Sequence, residues 1–263
     1  MRRVRFTKES VTELCHLLQP KLESRTRART TLPLAVKFTM ALNLYATGSF
    51  QAATGDNSKI LHFALRHCIR EVTGAPYTIR NTYISFPMDR AKQDERGLGF
   101  TCRAGFPRVQ GAIDCTQIAL RAPYHQPDIF VNRKEFHSLN IHLVCNQRQR
   151  IMQVHACYPG SRHDFHPAPV LCLQSGRQVT GWLLGDKGYT FRTWLMTPIR
   201  NPRKAAKHAY SESHAAIRNI IDHTVGLLKQ HFRCLDRHGG NLQYAPGVSR
   251  FVIACCIYVT SPS

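Results

Sequence analysis

Three aspartates in apolar surroundings are the residues of this sequence whose type and position could do chemistry. Asp114 lies within the stretch GAIDCTQIAL of residues 111–120, which is rich in residues that favour a covered strand. Asp186 ends the stretch GWLLGD, and Asp222 ends the stretch NIID. An ionised carboxylate in such company is unfavourable unless a cation or several hydrogen-bond donors compensate it. Three carboxylates that converge would form a metal site, whereas each aspartate taken alone could cap a turn or face water.

The elements expected to position these aspartates belong to an α/β domain. Four strand-like segments recur, and a polar turn joins two of them as a hairpin. The strands are predicted at residues 111–120, 138–146, 150–158 and 178–184, with the turn at 147–149. A helix is predicted over residues 164–173, and a closing helix runs from about Ser213 to Leu235, with Asp222 at the border of its apolar stripe. This order of strands and helices predicts an α/β fold with a mixed sheet.

The N-terminal part of the chain predicts a smaller helical region. Apolar side chains recur at helical spacing in residues 11–22, 32–45 and 59–72, and Gly48 marks a helix end. These helices are compatible with a helix-turn-helix and equally with any small bundle. The basic run at residues 25–29 is either a solvated linker or a DNA contact. The predicted organisation is a helical region at residues 1–75, a connector rich in Gly, Pro and charge at 76–110, and the α/β domain at 111–259.

The charge balance of the chain favours a polyanionic partner. The 263 residues include 36 Lys and Arg against 16 Asp and Glu, which gives a formal net charge of +20 at pH 7. Nucleic acid is the leading candidate for the partner, and an anionic membrane surface is the second. The sequence has no run of ~18 apolar residues that could span a bilayer, and its first residues lack the apolar core of a secretory signal. We therefore expect an intracellular protein.

The ten cysteines favour reduced thiols over disulfides or a zinc knuckle. They are scattered singly apart from Cys255 and Cys256, most have apolar neighbours, and no Cys-x2-Cys pair is present. His163 and His166 could form a zinc clip, but no second pair of ligands accompanies them in the sequence.

Six further stretches form a set with a fixed order along the second half of the chain. They are AGFPRVQGAIDCT at 104–116, VNRKEFHSLN at 131–140, PGSRHD at 159–164, WLLGDKGY at 182–189, TWLMTP at 193–198 and HFRCL at 231–235. In these stretches the chain resembles the PIF/Harbinger DDE transposase family, and the resemblance extends from residue 104 to about residue 256. The stretch ATGSFQAATGD at 46–56 is also similar to the helical DNA-binding region of that family.

The resemblance implies an RNase H-like fold and an acidic triad of the DDE type that binds a divalent metal cation, Mg2+ or Mn2+. Matched by motif, Asp114, Asp186 and Asp222 fall on the triad positions, with 35 residues between the last two. Asp164 matches a further acidic position that the family associates with metal, and it is either a fourth ligand or the cap of the helix that it begins. Carboxylate oxygens suit these hard cations. Two such cations can clamp the attacking and leaving oxygens of a phosphodiester, and Asp114 would bridge them.

The activity that the resemblance implies is that of a nuclease of transposase origin, acting on DNA phosphodiesters in the nucleus, with the cytoplasm as a second compartment. Arg133, Lys134 and His137 would contact phosphates, unless they belong to a solvated loop. The domesticated member of the family works with a separate Myb-like DNA-binding protein, so a similar partner is implied. The alternative is a catalytically inactive DNA-binding derivative that keeps the fold and the basic surface. A fragment without retained function is a third interpretation.

Three departures from the family pattern bear on the expected activity. The third acid is normally Glu, and Asp222 is one methylene shorter, so weaker catalysis is expected. Where the family usually continues with an apolar-Gly-Ser segment after the Gly-Asp pair at 55–56, this chain runs into NSKI, so an incomplete helix-turn-helix is expected. The chain stops at residues 258–263, where the family continues with Leu-His-Asn and more helix, and a splice form or a degenerate copy would explain this.

Overall fold

The computed structural model of the chain describes residues 8–22, 33–48, 59–161, 180–239, 242 and 247–260. Its described helices are α1 (Lys8–Leu22), α2 (Leu34–Thr47), α3 (Lys59–Thr78), α4 (Arg80–Tyr83), α5 (Arg90–Ala104), α6 (Ala205–His231) and α7 (Val248–Thr260). Its described strands are β1 (Val109–Ala119), β2 (Ser138–Cys145), β3 (Ile151–Pro159), β4 (Trp182–Leu184) and β5 (Leu195–Met196). Short 3-10 turns cover Pro127–Phe130, Arg233–Leu235 and Arg237–Gly239.

The five described strands form one mixed sheet in the order β3-β2-β1-β4-β5. Strand β4 runs parallel to both β1 and β5, whereas β2 and β3 form an antiparallel hairpin. The mixed sheet confirms the predicted α/β class. The hairpin confirms that the polar turn after Cys145 reverses the chain, and Asn146 closes this turn by accepting hydrogen bonds from the backbones of Arg148 and Arg150.

The sheet lies almost entirely in a compact unit formed by the described parts of residues 84–117 and 126–227. One face of the sheet packs into a cluster of buried apolar side chains, which are Phe86, Ile113, Val144, Met152, Leu183, Tyr189 and Leu195. Successive strand residues point to opposite faces, so Asp114 and Cys145 lie on the other face. Helix α6 covers that face, because Thr224 contacts the Cys145 thiol at 3.6 Å and Ile217 and Ile221 are buried.

A second compact unit is helical and consists of the described parts of residues 1–83, 118–125 and 228–263. Tyr45 is fully buried at its centre, and its ring meets those of Phe251 at 4.5 Å and Phe232 at 6.2 Å. Tyr258 donates a hydrogen bond to the carbonyl of Val72 at 3.1 Å. These contacts join the C-terminal helix α7 to the N-terminal helices, so the compact units do not follow the predicted boundaries at 75 and 110.

The interpretation of residues 76–110 as a connector is wrong over Arg90–Ala104, which form helix α5. The helix begins at Asp89, whose carboxylate accepts a hydrogen bond from the backbone of Lys92. Its buried face is mostly polar, since Gln93 and Arg96 lie there beside Phe100. A search for an apolar stripe misses such a helix, because Arg96 and Gln93 are stabilised by hydrogen bonds instead of apolar contacts.

Two further boundaries differ from the predictions. Helix α6 begins at Ala205 and not near Ser213, because its first turns are largely exposed and contribute no large buried aliphatic side chain to the apolar stripe. Strand β4 pairs only from Trp182, since the preceding Gly181 has a φ of 149°. The predicted helix at 164–173, the basic run at 25–29 and the possible zinc clip at His163 and His166 lie outside the described residues.

The described cysteines are all free thiols, as predicted, and five of the eight are buried. Within the described part of the chain, no helix combines the length and the apolar character needed to cross a membrane.

Gly160, at the end of the β3 hairpin strand, is expected to tolerate no side chain. A Cβ there would lie 2.5 Å from the carbonyl oxygen of Phe130 and 2.7 Å from that of Ser138, and neither backbone atom can move freely. We expect Gly160→Ala to lower the free energy of unfolding by about 1–3 kcal/mol, as overpacking does elsewhere.

Gly226 lies inside α6, and a Cβ added at this position would have no atom within 4 Å. Gly226→Ala should therefore stabilise by about 0.5–1 kcal/mol, and chemical denaturation of the two variants checks both signs.

Candidate active site

The backbone register places two of the three aspartates side by side. Ala112 of β1 is the register partner of Leu184 of β4, and the two strands run parallel. Asp114 and Asp186 each follow two residues after these partners, at the same level of the sheet. The close approach of the chains there depends on Gly185, since a Cβ at this position would lie 2.9 Å from the Tyr189 ring.

Helix α6 brings the third aspartate and a cation to the same place. Arg218 and Asp222 are four residues apart and therefore share one face of the helix, next to the buried Ile217 and Ile221. Asp222 is the most exposed of the three acids at 46%, compared with 28% for Asp186 and 17% for Asp114.

All three carboxylates contact one guanidinium group, that of Arg218. Its Nη2 lies 3.6 Å from Asp114 Oδ2, its Nε lies 3.4 Å from Asp222 Oδ2, and its Nη1 contacts Asp186 Oδ1. The structure thus brings together the three acids that the sequence analysis selected from distant parts of the chain. Arg218 itself was not selected, although its position four residues before Asp222 on a predicted helix is a recognisable signal.

The electrostatics of this cluster are dominated by the burial of Asp114. The pKa of Asp114 is raised to about 7, mainly by burial. The charge of Asp222 and its side-chain hydrogen bond contribute to the rise, whereas the backbone of Cys115 and the charge of Arg218 oppose it. The pKa of Arg218 is raised although burial alone would lower it, because the three carboxylates outweigh the burial. One guanidinium therefore compensates the acids only in part.

The donor set fits a hard divalent cation. Carboxylate oxygens are the ligands that Mg2+ and Mn2+ prefer, and the three groups already surround a positive charge. Among the described residues, however, no three Asp, Glu, His or Cys side chains stand close enough together to hold a metal ion as they are. The space between the carboxylates is taken by the Arg218 guanidinium.

A buried histidine, also missed in the sequence analysis, lies one helical turn before Arg218. His214 is 1% exposed and stacks on the ring of Tyr210, whose hydroxyl donates a hydrogen bond to the carbonyl of Thr197. Burial lowers the pKa of His214, with Arg218 adding to this effect and the backbone of Met196 and Gly185 opposing it. A neutral, buried imidazole at this point fixes α6 next to the segment that precedes Asp186.

The basic turn at residues 131–137 is tied to β1 beyond Asp114. Asn132 organises the turn through hydrogen bonds to the backbone of Lys134 and to Ser138, and Ser138 donates in turn to the side chain of Gln117 at 2.7 Å. Arg133 and Lys134 are exposed, whereas His137 is half-buried. The turn therefore presents two cations near the end of the strand that carries Asp114.

Asp164 lies outside the described residues, so its predicted place at the metal has no structural counterpart. The segment that leads to it begins with a fixed backbone, since Ser161 donates a hydrogen bond to the carbonyl of Ile129 at 3.1 Å.

A mixed sheet flanked by helices, with acids on two neighbouring parallel strands, defines the class of RNase H-like DDE nuclease folds. The family profile of the DDE superfamily endonuclease matches residues 113–259. The proteins named "Putative nuclease HARBI1" of Homo sapiens and Bos taurus are each 35% identical to the chain over 257 residues, which covers 96% of this chain and 74% of theirs. The chain therefore belongs to the DDE superfamily endonucleases, and the predicted Harbinger resemblance is confirmed.

A plant relative is more distant. "Protein ALP1-like" of Arabidopsis thaliana is 22% identical over 198 residues, which covers 66% of this chain and 47% of that protein. No solved structure matches the chain significantly.

Removing the central cation should destabilise the fold. In Arg218→Met the side chain keeps its length but leaves three carboxylates without a counter-charge, so we expect the free energy of unfolding at pH 8 to fall by roughly 1–3 kcal/mol. The loss should shrink at pH 4, because folded Asp114, with a pKa of about 7, is protonated there and no longer needs the counter-charge. Arg218→Lys, which keeps the charge without the planar fork, should lose less. Urea titrations of the three proteins at both pH values test this, and an unchanged Arg218→Met would show that the ion pairs contribute nothing.

The raised pKa of Asp114 predicts a stability that falls as pH rises. The folded state holds the Asp114 proton up to about pH 7, whereas the unfolded chain releases it near the ordinary value of 3.8. Between these values the folded state binds more protons, so each rise in pH costs stability. Asp114→Asn removes this dependence, and its stability relative to wild type should increase by on the order of a few kcal/mol from pH 4 to pH 8. Parallel slopes for the two proteins would contradict the shift.

Proposed function

We propose that the chain is a divalent-metal-dependent nuclease that hydrolyses DNA phosphodiester bonds, with Asp114, Asp186 and Asp222 as its catalytic acids. The observation that supports this most is the meeting of these three carboxylates around a single positive charge, on a fold and in a family of DDE endonucleases. A cluster of partly compensated carboxylates has a large affinity for further positive charge. That affinity is what a metal-dependent phosphodiesterase needs before substrate arrives.

The same three aspartates would hold Mg2+ or Mn2+, and Asp164 would add a fourth ligand. When bound, these ions supply positive charge to the phosphate and activate the attacking water. With ions held by these carboxylates, Arg218 would have to lie outside the space that its guanidinium now fills. Its planar fork of donors is then suited to a phosphate oxygen of the substrate.

DNA is the substrate that the charge of the chain favours. The net charge of +20 attracts a polyanion, and Arg133, Lys134 and His137 would contact phosphates next to the strand that carries Asp114. We place this activity in the nucleus, together with a Myb-like DNA-binding partner. Asp222 in place of the longer Glu leaves the third carboxylate further out and lowers the rate.

A catalytically inactive DNA-binding derivative is the second candidate. It is favoured by the position of Arg218, which fills the place a metal would need, and by the absence of a ready three-ligand cluster among the residues that the structure describes. In this case the guanidinium would replace the metal permanently, and only the basic surface would be used.

Nicking of supercoiled plasmid in Mg2+ or Mn2+ tests the proposal. We expect Asp114→Asn, Asp186→Asn and Asp222→Ala each to lose at least about 100-fold in rate, since even the outer partners of metal ligands are worth 10–100-fold. Asp94→Asn, at an exposed acid paired with Arg90 on helix α5, is the matched control and should keep the wild-type rate. Asp222→Glu restores the family residue and should raise the rate.

The outcomes separate the two candidates. DNA binding without nicking by the wild-type chain, at any tested metal, would support the inactive derivative. Nicking that persists in all three aspartate variants would show that other residues, or a contaminant, are responsible.

A further inference from the structure

Phe191 is an exposed aromatic side chain close to the candidate catalytic Asp186. Its side chain is 61% exposed. The other large apolar side chains that are exposed in the described part of the same unit, Leu98 and Ile129, are aliphatic. A single exposed apolar residue is common in proteins, so exposure alone implies nothing, and the surroundings of Phe191 decide its meaning.

The backbone on both sides of Phe191 is fixed. On one side Tyr189 is buried, its hydroxyl lies 2.9 Å from the Cys115 thiol, and its backbone donates a hydrogen bond to the carbonyl of Asp186 at 3.0 Å. On the other side Arg192 and Leu195 exchange two backbone hydrogen bonds of 3.0 and 3.1 Å. The ring is therefore held out in solvent by an ordered turn.

The same hydrogen bonds limit how far Phe191 is from the acids. The backbone N–H of Tyr189 donates a hydrogen bond to the carbonyl of Asp186. Phe191 follows Tyr189 by two residues, so the Cα atoms of Tyr189 and Phe191 are at most roughly 7 Å apart. Consecutive nucleotides of one strand in a duplex rise by about 3.4 Å. The backbone of Phe191 therefore lies within a distance of the Asp186 backbone that about one to three nucleotides span.

Two cations lie on either side of Phe191 in the sequence. Lys187 and Arg192 are exposed, and neither forms an ion pair with an acid in the described part of the chain. Proteins that bind single-stranded nucleic acid combine such residues, since an aromatic ring stacks on a base and cations contact phosphates.

We infer that Phe191 is a stacking platform for an unpaired nucleobase of the DNA next to the scissile phosphate, with Lys187 and Arg192 on the adjoining phosphates. This inference rests on the proposed function, because the position of the ring matters only if Asp186 lies at the reaction centre. The base comes either from a single strand or from a duplex that is locally opened.

Binding in EDTA tests the platform without cleavage. The 263-residue chain is titrated into an oligonucleotide that contains 2-aminopurine, once as a single strand and once as a duplex with a mismatch at that base. Stacking on the ring should change the fluorescence of 2-aminopurine, and loss of one stacked base is worth 1–3 kcal/mol, or roughly 5- to 150-fold in Kd. We therefore expect Phe191→Ala and Phe191→Leu to raise Kd at least about fivefold and to abolish the fluorescence change, whereas Phe191→Trp retains both.

Leu98→Ala is the matched control, since Leu98 is 65% exposed in the same unit but lies on helix α5. It should leave Kd within about twofold of wild type. Thermal melting of each variant confirms folding, which an exposed side chain should not affect. A signal from the mismatched duplex identifies an extruded base, and a signal from the single strand alone identifies single-stranded DNA; both support the platform.

The inference is overturned if Phe191→Leu binds and reports like wild type, since an aliphatic side chain cannot stack, or if Phe191→Ala is unchanged. If either result is obtained while plasmid nicking is normal and depends on Asp114, the stacking platform is wrong and the proposed nuclease activity still stands. Failure of the wild-type chain to bind either oligonucleotide would also overturn the platform, and plasmid nicking in Mg2+ or Mn2+ decides separately whether the nuclease stands.

Discussion

The compensation of three carboxylates by the guanidinium of Arg218 is the interaction on which the candidate site depends. Asp114 is largely buried. A buried carboxylate whose charge is not compensated tends to bind a proton and become neutral. The structure shows both responses together, since the pKa of Asp114 is raised while Arg218 holds the cluster from its centre. Without a cation in that place, the charges of the three acids would repel one another and destabilise the cluster at neutral pH.

The placement of these groups follows from the packing of one helix on one sheet. The parallel register of β1 and β4 sets Asp114 beside Asp186, and Gly185 permits the close contact that this requires. Helix α6 buries its apolar stripe on the same face, which turns Arg218 and Asp222 toward the strand ends. The site is therefore built on a helix and a sheet. The turn that follows Asp186 is held in place by the buried Tyr189.

The sequence predicted those parts of the fold in which apolar periodicity and function coincide. The hairpin of β2 and β3 and the mixed sheet were predicted from strand-like segments and a polar turn, and the three aspartates were selected because a carboxylate in an apolar run is unusual. Helix α5 was missed because its buried face consists of hydrogen-bonded polar groups, including Arg96 and Gln93. Arg218 was overlooked for a related reason, since a cation beside an apolar stripe is usually solvated and only the third dimension shows three acids around it.

The three acids differ in exposure, so a substitution at each is expected to affect the stability of the protein to a different extent. Asp114 is the innermost acid and Asp222 the outermost. A change at the inner position alters a buried charge and therefore the stability of the protein. A change at the outer position alters a carboxylate that water already solvates, so Asp in place of Glu costs the fold little. On the proposed function, a shorter third acid would therefore reduce the reach of the carboxylate toward a metal without a matching loss of stability.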